Sequence, residues 1–296
     1  VKPNFFIVGA PKCGTTAMNE YLKSHPDIFM AEKKEMHFFG KDFEMRSRIT
    51  EQDYLHEFKN ATEKRIIGEA SVWYLFSKTA AEEIKKFSPG AKILIMLRNP
   101  GELLYSLHSQ HLYDGNENIA DFATAIKYDK DRAKGLKDPV SVDFIKLPAY
   151  IDSVLFADQV KRYLDVFGKE NVYVILYEDL ASDTTAVVKN VIKFLGLSAD
   201  INIDARVINP NKQIRNFKLH RLLKKPPEML RRIVRVLLPS KKLRERIMNR
   251  AFKNNIVIEK RQPMDENLRN ELKILLSDDI DRLSVIINRD LSKWKL

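Results

Sequence analysis

The stretch Phe5-Phe6-Ile7-Val8-Gly9-Ala10-Pro11-Lys12-Cys13-Gly14-Thr15-Thr16 constrains this chain more than any other. The apolar run reads as a buried strand, the Gly/Pro/Gly segment as a tight loop, and Thr15-Thr16 as the opening of a helix that runs on through Leu22. The first N–H groups of a helix have no internal partner, and the helix dipole is positive at that end, so such a loop suits an anion. Gly14 permits close backbone approach, Thr15 and Thr16 supply hydroxyls, and Lys12 supplies a mobile positive charge. A nucleoside-triphosphate loop reads G-x-x-x-x-G-K-[ST], with its Lys after the second Gly. Lys12 instead comes two residues before Gly14, which makes a triphosphate with Mg²⁺ the less natural ligand. The lone Cys13 excludes an internal disulfide, and its small size suits the turn better than a reactive-thiolate role does.

The 296 residues alternate strand-like and helical stretches. Strands are expected at Arg65–Ala70, Lys92–Leu97 and Asn171–Tyr177, and helices at about Lys78–Phe87, after Pro100, over Leu147–Phe167 and over Thr184–Leu195. Most of the chain after Asn216 also reads as helical. This order predicts one α/β domain over 1–296, a parallel β-sheet flanked by helices in three layers, with ligands at the carboxyl ends of the strands. Residues 113–148 and 216–258 are expected to be insertions facing a substrate, the second of them helical. No apolar run is long enough to span a membrane and no signal peptide is read, so a cytoplasmic protein is expected.

A second anion site is legible at Arg98-Asn99-Pro100-Gly101-Glu102-Leu103-Leu104-Tyr105-Ser106. A strand delivers Arg98 to its carboxyl end, Pro100 starts a helix, and Ser106 lies about two turns along it. A guanidinium fork with a hydroxyl suits a phosphate monoester. These two stretches together resemble sulfotransferases that use 3′-phosphoadenosine-5′-phosphosulfate (PAPS), whose motifs read P-K-x-G-T-[TS] and R-[DN]-P-x-x-[RL]-x-x-S. The resemblance implies a P-loop NTPase-like sulfotransferase fold. It also implies a 5′-phosphosulfate on Lys12, Cys13, Gly14, Thr15 and Thr16, and a 3′-phosphate on Arg98 and Ser106. PAPS is then the donor, adenosine 3′,5′-bisphosphate the product, and no metal is required.

Lys34-Glu35-Met36-His37-Phe38-Phe39 resembles the K-E-x-H-F-F segment of the heparan sulfate branch, where the Glu is the base that takes the acceptor proton. Glu35 is accordingly expected as catalytic base, with Lys12 as the charge on the leaving oxygen. His37 is the runner-up, since other sulfotransferases use a His. The two aromatics that follow are expected to dry the site. Gly68-Glu69-Ala70-Ser71-Val72-Trp73-Tyr74-Leu75 is similar to E-K-[ST]-P-x-Y-F, but Ala70 stands where glycosaminoglycan enzymes carry a Lys. That departure implies a less charged acceptor: a neutral glycan, a small-molecule or lipid alcohol, or a hydroxyacyl chain on a carrier protein. Trp73 and Tyr74 are read as equally suited to an acceptor ring and to the core. Tyr177-Glu178-Asp179-Leu180 and Arg289-Asp290-Leu291-Ser292-Lys293-Trp294 match the family more thinly.

The formal net charge of +11 is concentrated in Lys218–Lys253, where interleaved Leu and Ile at helical spacing read as the solvated face of packed helices, with a peripheral anionic surface as the alternative. Arg215, Lys260 and Arg261 are the candidates for a basic segment closing over the donor. Two other functional classes stand beside the transferase. One is a Mg²⁺-ATP-dependent kinase with an atypical loop, against which the missing G-K-[ST] argues. The other is a non-enzymatic basic binding module, for which no nucleic-acid fingerprint is found.

Overall fold

The computed structural model describes residues 1–129, 131, 148–204, 212–214, 216, 219, 222, 223, 229, 240–258 and 263–295. Five strands form one parallel sheet: β1 (Phe5–Gly9), β2 (Ile28–Met30), β3 (Ile66–Ala70), β4 (Lys92–Leu97) and β5 (Val172–Leu176), in the order β2-β3-β1-β4-β5. All five residues of β1 and of β3 are buried, the run expected of strands covered on both faces by helices. The expected α/β class is the one observed.

The order places a switch point at β1. The chain leaves β1 for β2 and β3 on one side, then crosses to β4 and β5 on the other. Phe5 of β1 pairs with Gly68 of β3 and with Lys92 of β4, so the loops after these strands emerge at one edge. Ligand crevices of open α/β sheets lie at such a point.

Helices among the described residues are α1 (Thr15–Leu22), α2 (Glu51–His56), α3 (Ala80–Phe87), α4 (Pro100–Asp114), α5 (Phe122–Lys127), α6 (Tyr150–Ser153), α7 (Phe156–Phe167), α8 (Tyr177–Ser182), α9 (Thr184–Phe194), α10 (Lys241–Asn254) and α11 (Glu266–Ile287). Pro100 at the first turn of α4 and the Asn99 side chain accepting from Glu102 N start that helix as its sequence predicts.

Two expectations need correction, and one strand is unexpected. The helix read over Leu147–Phe167 is broken in its described part into α6 and α7. Leu155 leaves the helical region, and Asp279 of α11 accepts from Ala157 N at 3.2 Å, so a carboxylate over a hundred residues away caps the new helix. The strand β2 escapes a periodicity reading because it is three residues long. Within the stretch read as helical, β7 (Ile256–Ile258) pairs antiparallel with β6 (Lys212–Ile214). Three residues carry too short a pattern to distinguish strand from helix.

Candidate functional site

The anion loop follows β1, and its backbone takes left-handed turns at Lys12 (φ 63°) and Gly14 (φ 85°). Gly14 is the N-cap of α1, and a Cβ there would stand 2.9 Å from Cδ2 of Leu180. Both facts demand glycine. No side chain caps α1, and its first turn carries no acid, so its N–H groups and dipole are left for a ligand. Ala10 N donates to Met96 O of β4 at 2.6 Å, which seats the loop against the strand that delivers Arg98.

Lys12 Nζ donates to Gln110 Oε1 at 2.9 Å. Gln110 lies on α4 one turn beyond the buried Ser106, so the loop cation is held against the helix carrying the second motif. Arg98 packs its guanidinium 4.7 Å from the centre of the Tyr177 ring, and its Nη2 is 3.8 Å from Glu102 Oε2. Cys13 is fully buried, and burial drives its thiol far above the ordinary range. It is a packing residue, as the loop's tightness predicts.

The segments that matched most thinly form the back wall of this cleft. Glu178 Oε1 accepts from Asn99 N at 3.1 Å, Leu180 abuts Gly14, and Asp179 Oδ2 accepts from Arg289 Nη2 at 3.0 Å. Trp294 O accepts from Asn99 Nδ2 at 3.2 Å, so the chain's end also braces the Arg98 turn.

The Lys34–Phe39 strap crosses in front. Glu35 N donates to Ala70 O at 3.0 Å, and its carboxylate accepts from Val72 N at 3.0 Å. Glu35 (φ 55°) and His37 (φ 48°) are both left-handed, a strained backbone that the neighbours hold. Tyr74 Oη accepts from Phe38 N at 3.0 Å and Phe39 N at 3.3 Å, while Ser71 Oγ accepts from His37 N at 3.4 Å. Arg48 donates to the carbonyls of His37 at 2.8 Å and Gly40 at 3.0 Å.

His37 Nε2 lies 3.7 Å from Glu35 Oε2. The imidazole is buried, and burial first, then the Arg48 charge, lowers its pKa to about 4. It is therefore neutral near pH 7, and the Glu35 side chain retains 36% exposure. Phe39 is buried and Phe38 partly buried. They pack into the core against Tyr54 and Phe87, with Phe38 stacked on Tyr54 at 4.2 Å, and so anchor the strap. Trp73 and Tyr74 are likewise buried in the core, and Ala70 points no side chain outward.

Lys34 joins the two halves: its Nζ donates to Thr16 Oγ1 at 2.7 Å. Burial lowers its pKa although Glu35 and Glu20 oppose the shift. Lys34, Gln110 and Arg48 were not singled out in the sequence. Lys34 sits within the strap motif and Gln110 four residues after Ser106, which are usable signals; nothing local marks Arg48. Arg215, Lys260 and Arg261 lie outside the described residues. A separate cavity of about 140 Å³ opens at the start of α4, between Asn99, Glu102, Arg269, Lys273 and Trp294, and no residue of the loop or strap lines it. No group of His, Cys, Asp and Glu among the described residues is arranged to hold a metal, and no helix among them is long and apolar enough to cross a membrane.

The fold is a parallel sheet with a glycine-bearing loop after its central strand, an Arg-bearing turn after β4 and a Glu-bearing strap against the turn after β3. Residues 2–235 match the Sulfotransferase domain family, and the chain belongs to it. A sulfotransferase structure from Alicyclobacillus acidocaldarius is 32% identical and superposes over the full length of both chains with a TM-score of 0.75. Carbohydrate sulfotransferase 15 of Mus musculus is 28% identical over an alignment of 252 positions that covers 66% of this chain and 44% of that protein. Heparan sulfate glucosamine 3-O-sulfotransferase 5 of Mus musculus is 26% identical over 200 residues, 68% of this chain and 55% of that protein. The chain thus aligns with about half the length of these curated relatives.

Proposed function

We propose that this chain transfers a sulfuryl group from PAPS to an acceptor hydroxyl by in-line displacement. The observation that carries the reading is the meeting of three separately legible motifs at one sheet edge, with Lys34 bonded to Thr16 across them. The residues suit a donor with two separated phosphates. The uncapped, acid-free first turn of α1 with the Gly14 cradle and Lys12 takes the 5′ end, and Arg98 with Ser106 takes the 3′ end.

The donor supplies an activated sulfuryl group. Glu35 takes the proton of the acceptor hydroxyl as that oxygen bonds to sulfur. Lys12, which has donors beyond the one given to Gln110, and the α1 N-terminus take up the charge that develops on the phosphate oxygen as its bond to sulfur breaks. His37, neutral and buried against Glu35, orients the carboxylate.

Burial of Ala70 where the glycosaminoglycan enzymes carry Lys favours an acceptor of low charge. A neutral glycan, a lipid alcohol and a carrier-bound hydroxyacyl chain are the classes to screen. Calorimetric titration with adenosine 3′,5′-bisphosphate, against ATP with Mg²⁺ and against 5′-AMP, tests the donor. Binding of the bisphosphate alone, lost in Arg98→Ala, is the expected result. Preferential binding of ATP with Mg²⁺ would refute the reading in favour of a kinase.

A further inference from the structure

Glu69, next to last in β3, takes no part in the transfer as derived, yet it is 1% exposed in the middle of the site. Neither carboxyl oxygen completes a hydrogen bond of normal geometry. The hydroxyls of Tyr54 from α2 and of Tyr74 and Ser71 from the turn after β3 stand around it. Two of those hydroxyls hold the strap: Tyr74 Oη accepts from Phe38 and Phe39 N, and Ser71 Oγ from His37 N. A hydroxyl that accepts from an amide still has its own proton to place, and the adjacent buried carboxyl is a natural partner. Glu35, on the strap itself, is a like charge acting on Glu69, and Tyr163 of α7 reaches the same cluster through Tyr74 O at 2.9 Å.

We propose that Glu69 is a positioning residue for the transfer, which fixes the strap through the Tyr74 and Ser71 hydroxyls. The inference rests on the sulfotransferase reading above. Burial favours the protonated form at Glu69, whereas the Glu35 side chain is more exposed. Burial raises the Glu69 pKa to about 7, against the opposing pull of the three hydroxyls and with Glu35 adding to the rise. Ionisation of Glu69 draws the hydroxyl protons toward the carboxylate and places a second negative charge behind Glu35, against an anionic group in transfer. The transfer therefore falls off on the alkaline side.

Glu69→Gln keeps the shape and removes the titration. The rate kcat of the wild type is expected to fall with a midpoint near pH 7. The variant should hold wild-type kcat within about threefold at pH 6 and lose that alkaline limb, whereas Glu69→Leu, which cannot serve the hydroxyls, should lose kcat at every pH. A wild-type profile flat to pH 9, or the same alkaline limb in Glu69→Gln, overturns the proposal. A second readout needs no turnover: with ¹³C-labelled glutamate carboxyls, the resonance absent from Glu69→Gln should titrate near pH 7, above the ordinary carboxylate range. Titration in the ordinary carboxylate range overturns the proposal even if the enzyme is active. Unaltered bisphosphate binding in the variant shows that the donor site is intact, so failure here is distinct from failure of the sulfotransferase reading.

Discussion

Three glycines allow the demand at Gly14 to be taken apart. Gly14 is left-handed (φ 85°) and crowded, with its Cβ position 2.9 Å from Leu180 Cδ2. Gly196 is left-handed (φ 74°) with nothing within 4 Å, and Gly90 has neither a positive φ nor a near neighbour. Alanine at Gly196 therefore reports backbone strain alone, about 1–2 kcal/mol of stability. Alanine at Gly14 carries the same strain plus overpacking against a buried leucine, roughly another 1–2 kcal/mol, because the clash falls on a side-chain tip that shifts by a few tenths of an ångström. Alanine at Gly90 should be neutral, or stabilising by up to about 1 kcal/mol, through the unfolded chain. Urea unfolding of the three variants in parallel reads the differences as changes in midpoint at constant slope. The expected order is Gly90→Ala above wild type, then Gly196→Ala, then Gly14→Ala. Only the last should also weaken adenosine 3′,5′-bisphosphate in calorimetry, because it alone displaces the α1 N-terminus. If Gly14→Ala is as stable as Gly90→Ala and binds normally, the account of the loop as a glycine-dependent anion cradle is wrong.

Glu35→Gln should lower kcat by about 10²–10⁴ while leaving bisphosphate affinity unchanged, and near-normal turnover would transfer the base role to His37. Lys34→Met removes the bond to Thr16 and should weaken bisphosphate binding by about tenfold or more; an unchanged Kd would mean that Lys34 only tethers the strap. His37 has a folded pKa of about 4 against an ordinary 6.5, so below pH 6.5 the unfolded chain takes the proton first. The stability it contributes is complete above pH 6.5 and is lost as pH falls through 4, about 3 kcal/mol in all, and His37→Gln should flatten that acid limb in pH-dependent urea unfolding.

What the sequence determined by itself is local. The Lys12–Thr16 loop and the Arg98–Ser106 turn-and-helix are each set by backbone signals within a dozen residues: Gly14 at a left-handed N-cap, Pro100 at a first turn, apolar runs for β1 and β4. Their order along the chain was enough for the parallel α/β class, since strands separated by helices leave few alternatives. The tertiary structure decided everything that depends on a partner far away in the chain. Asp279 capping Ala157 splits a helix that reads as continuous, and Phe38 and Phe39 turn inward because Tyr54 and Phe87 offer them a core. Lys12 meets Gln110 and Lys34 meets Thr16 only after the strands are stacked side by side, and the hydroxyls around Glu69 come from α2 and from the turn after β3. The physical reason is the same throughout. Turns, caps and strand runs are governed by neighbours in sequence, whereas burial, ion pairing and shifted proton affinities depend on which surfaces the folded sheet brings into contact, and short segments such as β2 become strands only because a partner strand is already there.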